Sequence, residues 1–139
     1  MKAALIDCHG SADVLRYKDI EQPICTPDKI KIQIKASSIN HLDIWVRKGM
    51  SGTKTPFPLV LGSDGSGIVT EVGSNVASVS IGDKVVIQPG TYNHDCPKVK
   101  NGQENFSKTY GILGETENGV QCEYAVLKPE NIYPMSLGL

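Results

Sequence analysis

No apolar run in the 139 residues approaches the roughly 18 needed to span a bilayer as a helix, so no membrane partner is expected. The opening stretch from Met1 to Asp7 is too short and too soon charged to be a signal peptide, and it reads as a first strand. No segment gathers lysine or arginine with aromatics, and 14 basic residues against 15 acidic ones leave a net charge of -1, which excludes nucleic acid as an expected partner. No two of the four cysteines, Cys8, Cys25, Cys96 and Cys122, are close in sequence. That scatter argues against a secreted disulfide framework and for a reducing cytoplasm. There is no internal repeat, no low-complexity tract, and too little chain for two domains. With 40% hydrophobic and 21% charged residues the composition is that of an ordinary globular domain, one able to bury a core without a disulfide or a metal.

What the chain does have is punctuation: 14 glycines and 8 prolines, with short apolar segments between them. Lys29 to Lys35 alternates strictly, Ile30, Ile32 and Ile34 against lysine and glutamine, which is the period of a half-buried strand with a wet lysine face. Ile68 to Val72, Lys84 to Gln88 and Val120 to Leu127 are further β-branched runs. Many short strands separated by turn signals predict a mainly β domain, a barrel or sandwich with a few short helices, and not a parallel α/β sheet. Asn40 to Lys48 departs from this. Leu42, Trp45 and Val46 recur at helical spacing, Asn40 suits a cap, and Gly49 suits a left-handed stop, predicting a helix of about two turns. Residues 89 to 111 are polar and weakly periodic and read as a long excursion from the sheet. His9 reads as a loop residue without a sequence partner.

Four segments in order carry a resemblance. They are Ser37 to Gly49; Pro58 to Val69, with Gly62, Ser63, Asp64, Gly65 and Gly67; Val72-Gly73 leading to Gly82-Asp83-Lys84-Val85-Val86; and Gly119 to Val126. Together they are similar to the N-terminal domain of the medium-chain dehydrogenase/reductases and cover nearly the whole chain. The G-x-x-G-x-G order, followed by a strand-like run, is not a dinucleotide fingerprint; turn geometry and close backbone approach account for these glycines.

The resemblance implies a GroES-like, partly open β-barrel over residues 1–139, the substrate-side domain of an NAD- or NADP-dependent oxidoreductase. The Rossmann domain that would hold the cofactor and close the cleft is absent from this sequence, and a full-length homodimer is implied. The apolar end from Pro134 to Leu139 reads as a chain interrupted at a domain border, so the isolated stretch is expected neither to bind the cofactor nor to turn over.

In zinc-using members a cysteine stands where this chain has Asn40 and a histidine where it has Ser63. An amide and a hydroxyl are poor zinc ligands beside thiolate and imidazole. The structural zinc of such members takes four cysteines from the excursion, and those positions fall on Asn93, Cys96, Val99 and Ser107. Zinc is therefore not expected at either place. The zinc-free branch the chain then resembles reduces quinones and enones, with hydrogen bonds in place of a metal. On that reading Asn40, Asp43 and Asp64 form the catalytic group, Asn40 lining the cleft and the two carboxylates positioning helix and loop. Trp45 and Ser63 line the substrate pocket, and His41 faces the cofactor. Each has a plainer reading: Asn40 a helix cap, Asp43 a charge at the helix's positive end, His41 a polar first-turn residue, Trp45 a core residue beside Leu42. Two other functions stay open, a stand-alone binding module and a zinc-type alcohol dehydrogenase with atypical ligands.

Overall fold

The computed structural model describes residues 1–135, so Ser136 to Leu139, part of the apolar end noted above, lie outside the described residues. In chain order the elements are β1 (Lys2–Ile6), β2 (Leu15–Asp19), β3 (Ile30–Ser37), α1 (His41–Lys48), β4 (Leu59–Val60), β5 (Gly65–Val72), β6 (Lys84–Ile87), β7 (Gly90–Thr91), α2 (Pro97–Lys100), β8 (Gly111–Ile112), β9 (Tyr124–Leu127) and β10 (Ile132–Pro134). A five-stranded sheet runs in the order β10-β6-β5-β3-β9, a three-stranded one in the order β2-β1-β4, and β7 and β8 form a two-stranded sheet. Each pairing within these sheets is antiparallel, as short connections between neighbouring strands allow. No sheet closes on itself among the described residues. The fold is mainly β, as the turn-rich sequence predicts.

The alternation in β3 does what its period requires. Ile30 and Ile32 are fully buried in a core shared with Val69, Val85, Leu113 and Val120. Ile34 is only partly buried, because the register with β5 slips between Ile34 and Ala36. Such a bulge bends the strand and re-aims the residues beyond it, here Ser37, Ser38 and Asn40. Across the pair, a Cβ at Gly67 would lie 2.3 Å from Gln33 O, so β5 approaches β3 there at a distance only glycine permits.

One expectation needs correcting. Val120 to Leu127 is not one strand: β9 begins at Tyr124. The preceding residues leave that ladder and bind the other sheet, with Gly119 N donating to Val60 O at 2.8 Å, Gln121 N to Leu61 O at 2.9 Å and Val120 N to Gly62 O at 3.0 Å. This clamp ties the two large sheets together. The excursion has elements of its own, since β7 and β8 close its base and α2 and a short 3-10 turn at Glu104–Phe106 lie within it.

Candidate functional site

The eight residues of α1 start at the cap Asn40 and end at Gly49, whose φ of 94° favours glycine although its ψ of 125° lies outside the αL basin. The buried face is Leu42, Asp43 and Val46, packed toward Ile6, Leu59 and Leu61. Trp45 is 52% exposed, so its reading as a core residue fails; its ring leans on that of His41, itself exposed, with centroids 4.9 Å apart. His9 has a partner after all, across 37 residues: its Nδ1–H donates at 2.9 Å to Val46 O, a last-turn carbonyl that also accepts from Gly49 N at 3.1 Å. Arg47 and Gly10 exchange hydrogen bonds beside it.

Asp43 is 6% exposed and accepts from two backbone groups, Asn40 N at 2.7 Å and Gly62 N at 3.0 Å. One carboxylate thus fixes the first turn of α1 against the Gly62 loop. Past that loop, Ser63 is buried and its hydroxyl donates to Leu113 O at 3.0 Å, turned into the core. Asp64 is exposed, and its Oδ2 accepts from Asn40 Nδ2 at 2.6 Å and from Ser38 Oγ at 3.2 Å. The fold therefore brings Asn40, Asp43 and Asp64 to one junction, with His41 and Trp45 on the adjoining outer face of α1. Ser38, overlooked in the sequence, joins them; its place just ahead of the helix cap Asn40 was the signal available.

Those groups do not suit a zinc ion. The Asn40 amide nitrogen donates to Asp64, the Ser63 hydroxyl is turned into the core toward Leu113, and amide and hydroxyl oxygens are poor zinc ligands beside thiolate and imidazole. In the excursion the four positions do converge, but on a different chemistry. Cys96 N donates to Asn93 O at 3.1 Å, Asn93 N to Thr109 Oγ1 at 3.2 Å, and the hydroxyls of Ser107 and Thr109 stand 2.9 Å apart. Among the described residues no group of three or more His, Cys, Asp or Glu is placed to hold a metal. His94 is drawn away from Cys96 to Glu130, at 3.0 Å.

The thiols differ in reactivity. The Ser107 hydroxyl and nearby backbone N–H groups hold Cys96 below its ordinary value, whereas burial pushes Cys122 up to about 11 and Cys25 upward. Because the thiolate is the nucleophile, iodoacetamide at mildly alkaline pH should label Cys96 before Cys25 and Cys122, with Cys122 unreactive until pH approaches its raised value. Peptide mass mapping reads the order, and Ser107→Ala should slow Cys96. Cys122 labelling alongside Cys96 in the folded protein would contradict the burial described.

The family model of the alcohol dehydrogenase GroES-like domain matches residues 26–136. An NAD-dependent alcohol dehydrogenase of Sulfolobus acidocaldarius is 32% identical, over 99% of this chain and 40% of its own length. A zinc-type alcohol dehydrogenase-like protein of Schizosaccharomyces pombe is 34% identical, over 83% of this chain and 32% of its own. Among solved structures, that of an NAD-dependent alcohol dehydrogenase superposes with a TM-score of 0.91 at 41% identity, over 96% of this chain and 39% of the other. A thermostable alcohol dehydrogenase from Pyrobaculum aerophilum gives 0.88 at 30% identity, over 100% and 42%. The chain thus spans about a third to two fifths of the length of these relatives.

Proposed function

Because the chain belongs to the alcohol dehydrogenase GroES-like family, within the medium-chain dehydrogenase/reductases, we propose that it is the substrate-side part of a longer NAD- or NADP-dependent oxidoreductase that transfers hydride without zinc. The observation that carries the zinc-free reading is the double commitment at the junction. Asn40 and Ser63, the residues standing at the two ligand positions, are a hard amide and a hydroxyl, and both are held by internal hydrogen bonds. Their substrate is then a carbonyl, enone or quinone whose developing oxyanion is stabilised by donors such as Asn40.

On this reading the remaining part of the protein is a Rossmann domain holding the cofactor, which supplies or accepts the hydride. Asn40 lines the cleft, Trp45 gives it an apolar wall, and His41 faces the cofactor, while Ser63, expected in the pocket lining, is turned into the core onto Leu113. Asp43 and Asp64 hold helix and loop in place. The full-length protein is a cytoplasmic homodimer, and residues 1–139 alone are inactive. The Schizosaccharomyces pombe relative, zinc-type by name, favours the competing reading of a zinc enzyme with atypical ligands, Asp64 contributing an oxygen.

The test follows nicotinamide absorbance with the full-length protein, offering carbonyl, enone, quinone and alcohol probes with either cofactor, before and after exhaustive chelation. Turnover that survives chelation, with substoichiometric zinc by elemental analysis, is the expected result. Activity lost on chelation and restored by zinc would overturn the zinc-free reading, and turnover by the isolated 139 residues would overturn the division of labour. A native gene product of only 15.0 kDa in source cells would replace the enzyme by a binding module.

A further inference from the structure

Beside the α1 junction lies an open surface hollow of about 290 Å³ whose lining is small and polar: Ser37, Ser38, Asp64 and Ser66, with Ala36 and Gly65. Hydride exchange with an alcohol also moves a proton, and some group must take it. Asn40 and the serines do not accept a proton at neutral pH. Asp43 is buried with both oxygens bound to backbone N–H groups. The His41 ring leans on Trp45, on the outer side of α1. Asp64 differs from all of these. Its Oδ2 is anchored by two bonds, from Asn40 Nδ2 and Ser38 Oγ, and the Asp64 backbone is held beside them by Ser38 N donating to the Asp64 carbonyl at 3.2 Å. Its Oδ1 accepts no hydrogen bond among the described residues, on an exposed side chain facing the hollow.

We propose that Asp64 Oδ1 is the proton acceptor for an alcohol seated in this hollow, with Asn40 and Ser38 as positioning residues for the carboxylate. The proposal rests on the hydride-transfer reading above and adds the group that completes the reaction. In the oxidative direction the alcohol O–H bond breaks and its proton passes to Oδ1. The carbinol C–H bond breaks with its electron pair, which leaves as hydride to the oxidised nicotinamide. The oxygen's electrons close the C=O bond, and Asp64 returns the proton to water at the open hollow. The reverse sequence reduces a carbonyl, with Asp64 as the acid.

The experiment uses the full-length protein with cyclohexanol and ethanol as probes, comparing Asp64→Ala, the isosteric Asp64→Asn, and each with added formate. A general base contributes about 100-fold or more to turnover. Both variants should therefore lose that much in kcat, with KM for the cofactor little changed and circular-dichroism melts like the parent's. Formate should restore about tenfold or more in Asp64→Ala, where the removed side chain leaves room, and nothing in the parent. Turnover in Asp64→Asn within a few-fold of the parent overturns the proposal. So does a loss in Asp64→Ala that formate leaves unchanged, since that outcome gives Asp64 a positioning role only. A parent protein without any nicotinamide-linked turnover fails earlier and removes the hydride-transfer reading together with this one.

Discussion

Gly119→Ala is expected to lower unfolding stability by about 4 kcal/mol, a large share of the roughly 5–15 kcal/mol that holds a domain folded. A Cβ at Gly119 would stand 2.1 Å from Gly62 O, 2.5 Å from Leu61 O and 2.7 Å from Leu61 C. All three are backbone atoms, so no rotamer change relieves the overlap, and the clamp has to open. Opening it strains or breaks the bonds from Gly119, Val120 and Gln121 to residues 60–62, each a net contribution of about 1 kcal/mol on top of the steric cost of about 1–3 kcal/mol. Gly52→Ala is the control. That glycine has a φ of 85° with nothing within 4 Å of the added carbon, so it bears only the backbone penalty of about 1 kcal/mol. Urea titration followed by circular dichroism separates the two. A Gly119→Ala midpoint equal to the control's would mean that the sheets meet less closely at this point than described.

Asp43→Ala is expected to cost about 3 kcal/mol, a fall in melting temperature of about 10 °C for a chain of this size. The variant deletes the acceptor for Gly62 N and Asn40 N, leaving the first of these buried without a partner and the helix start untied. Asp43→Asn keeps one acceptor oxygen and should lose roughly half as much. If Asp43→Ala instead melts with the parent while a solubility or activity change appears, the carboxylate serves the substrate and not the fold. Asp43→Ala and Gly119→Ala both act on the Gly62 loop, so they should couple, the double variant losing less than the sum of the two.

Helix α1 was legible because everything that sets its limits is local: a cap, an apolar spacing and a terminal glycine within ten residues. Its orientation was not. Spacing pairs Trp45 with Leu42, but the helix buries a carboxylate, and the turn that brings Asp43 to Gly62 rotates Trp45 outward. Sequence gives no sign that a polar residue will take the inward place when its partner is a backbone N–H nineteen residues on. Longer separations, 37 and 50 residues, hide His9 on Val46 and Ser63 on Leu113. Strand β2 was missed for the opposite reason. All five of its residues are exposed, so it carries no buried face and only a faint alternation, and its pairing with β1 is a matter of backbone alone. Of the candidate site, the identities of Asn40, Asp43 and Asp64 were legible through the motif. Which of their atoms are already engaged was decided by the fold.

The excursion between β7 and β8 is stitched mainly by bonds within residues 93–109, with His94 tied outside it to Glu130. Such a flap is held by single hydrogen bonds among a few hydroxyls, carbonyls and backbone N–H groups. It can breathe open and reclose as a small unit while the sheets beneath stay whole, and drift in its sequence is tolerated piecemeal, one contact at a time, where a four-ligand cage fails at the first substitution.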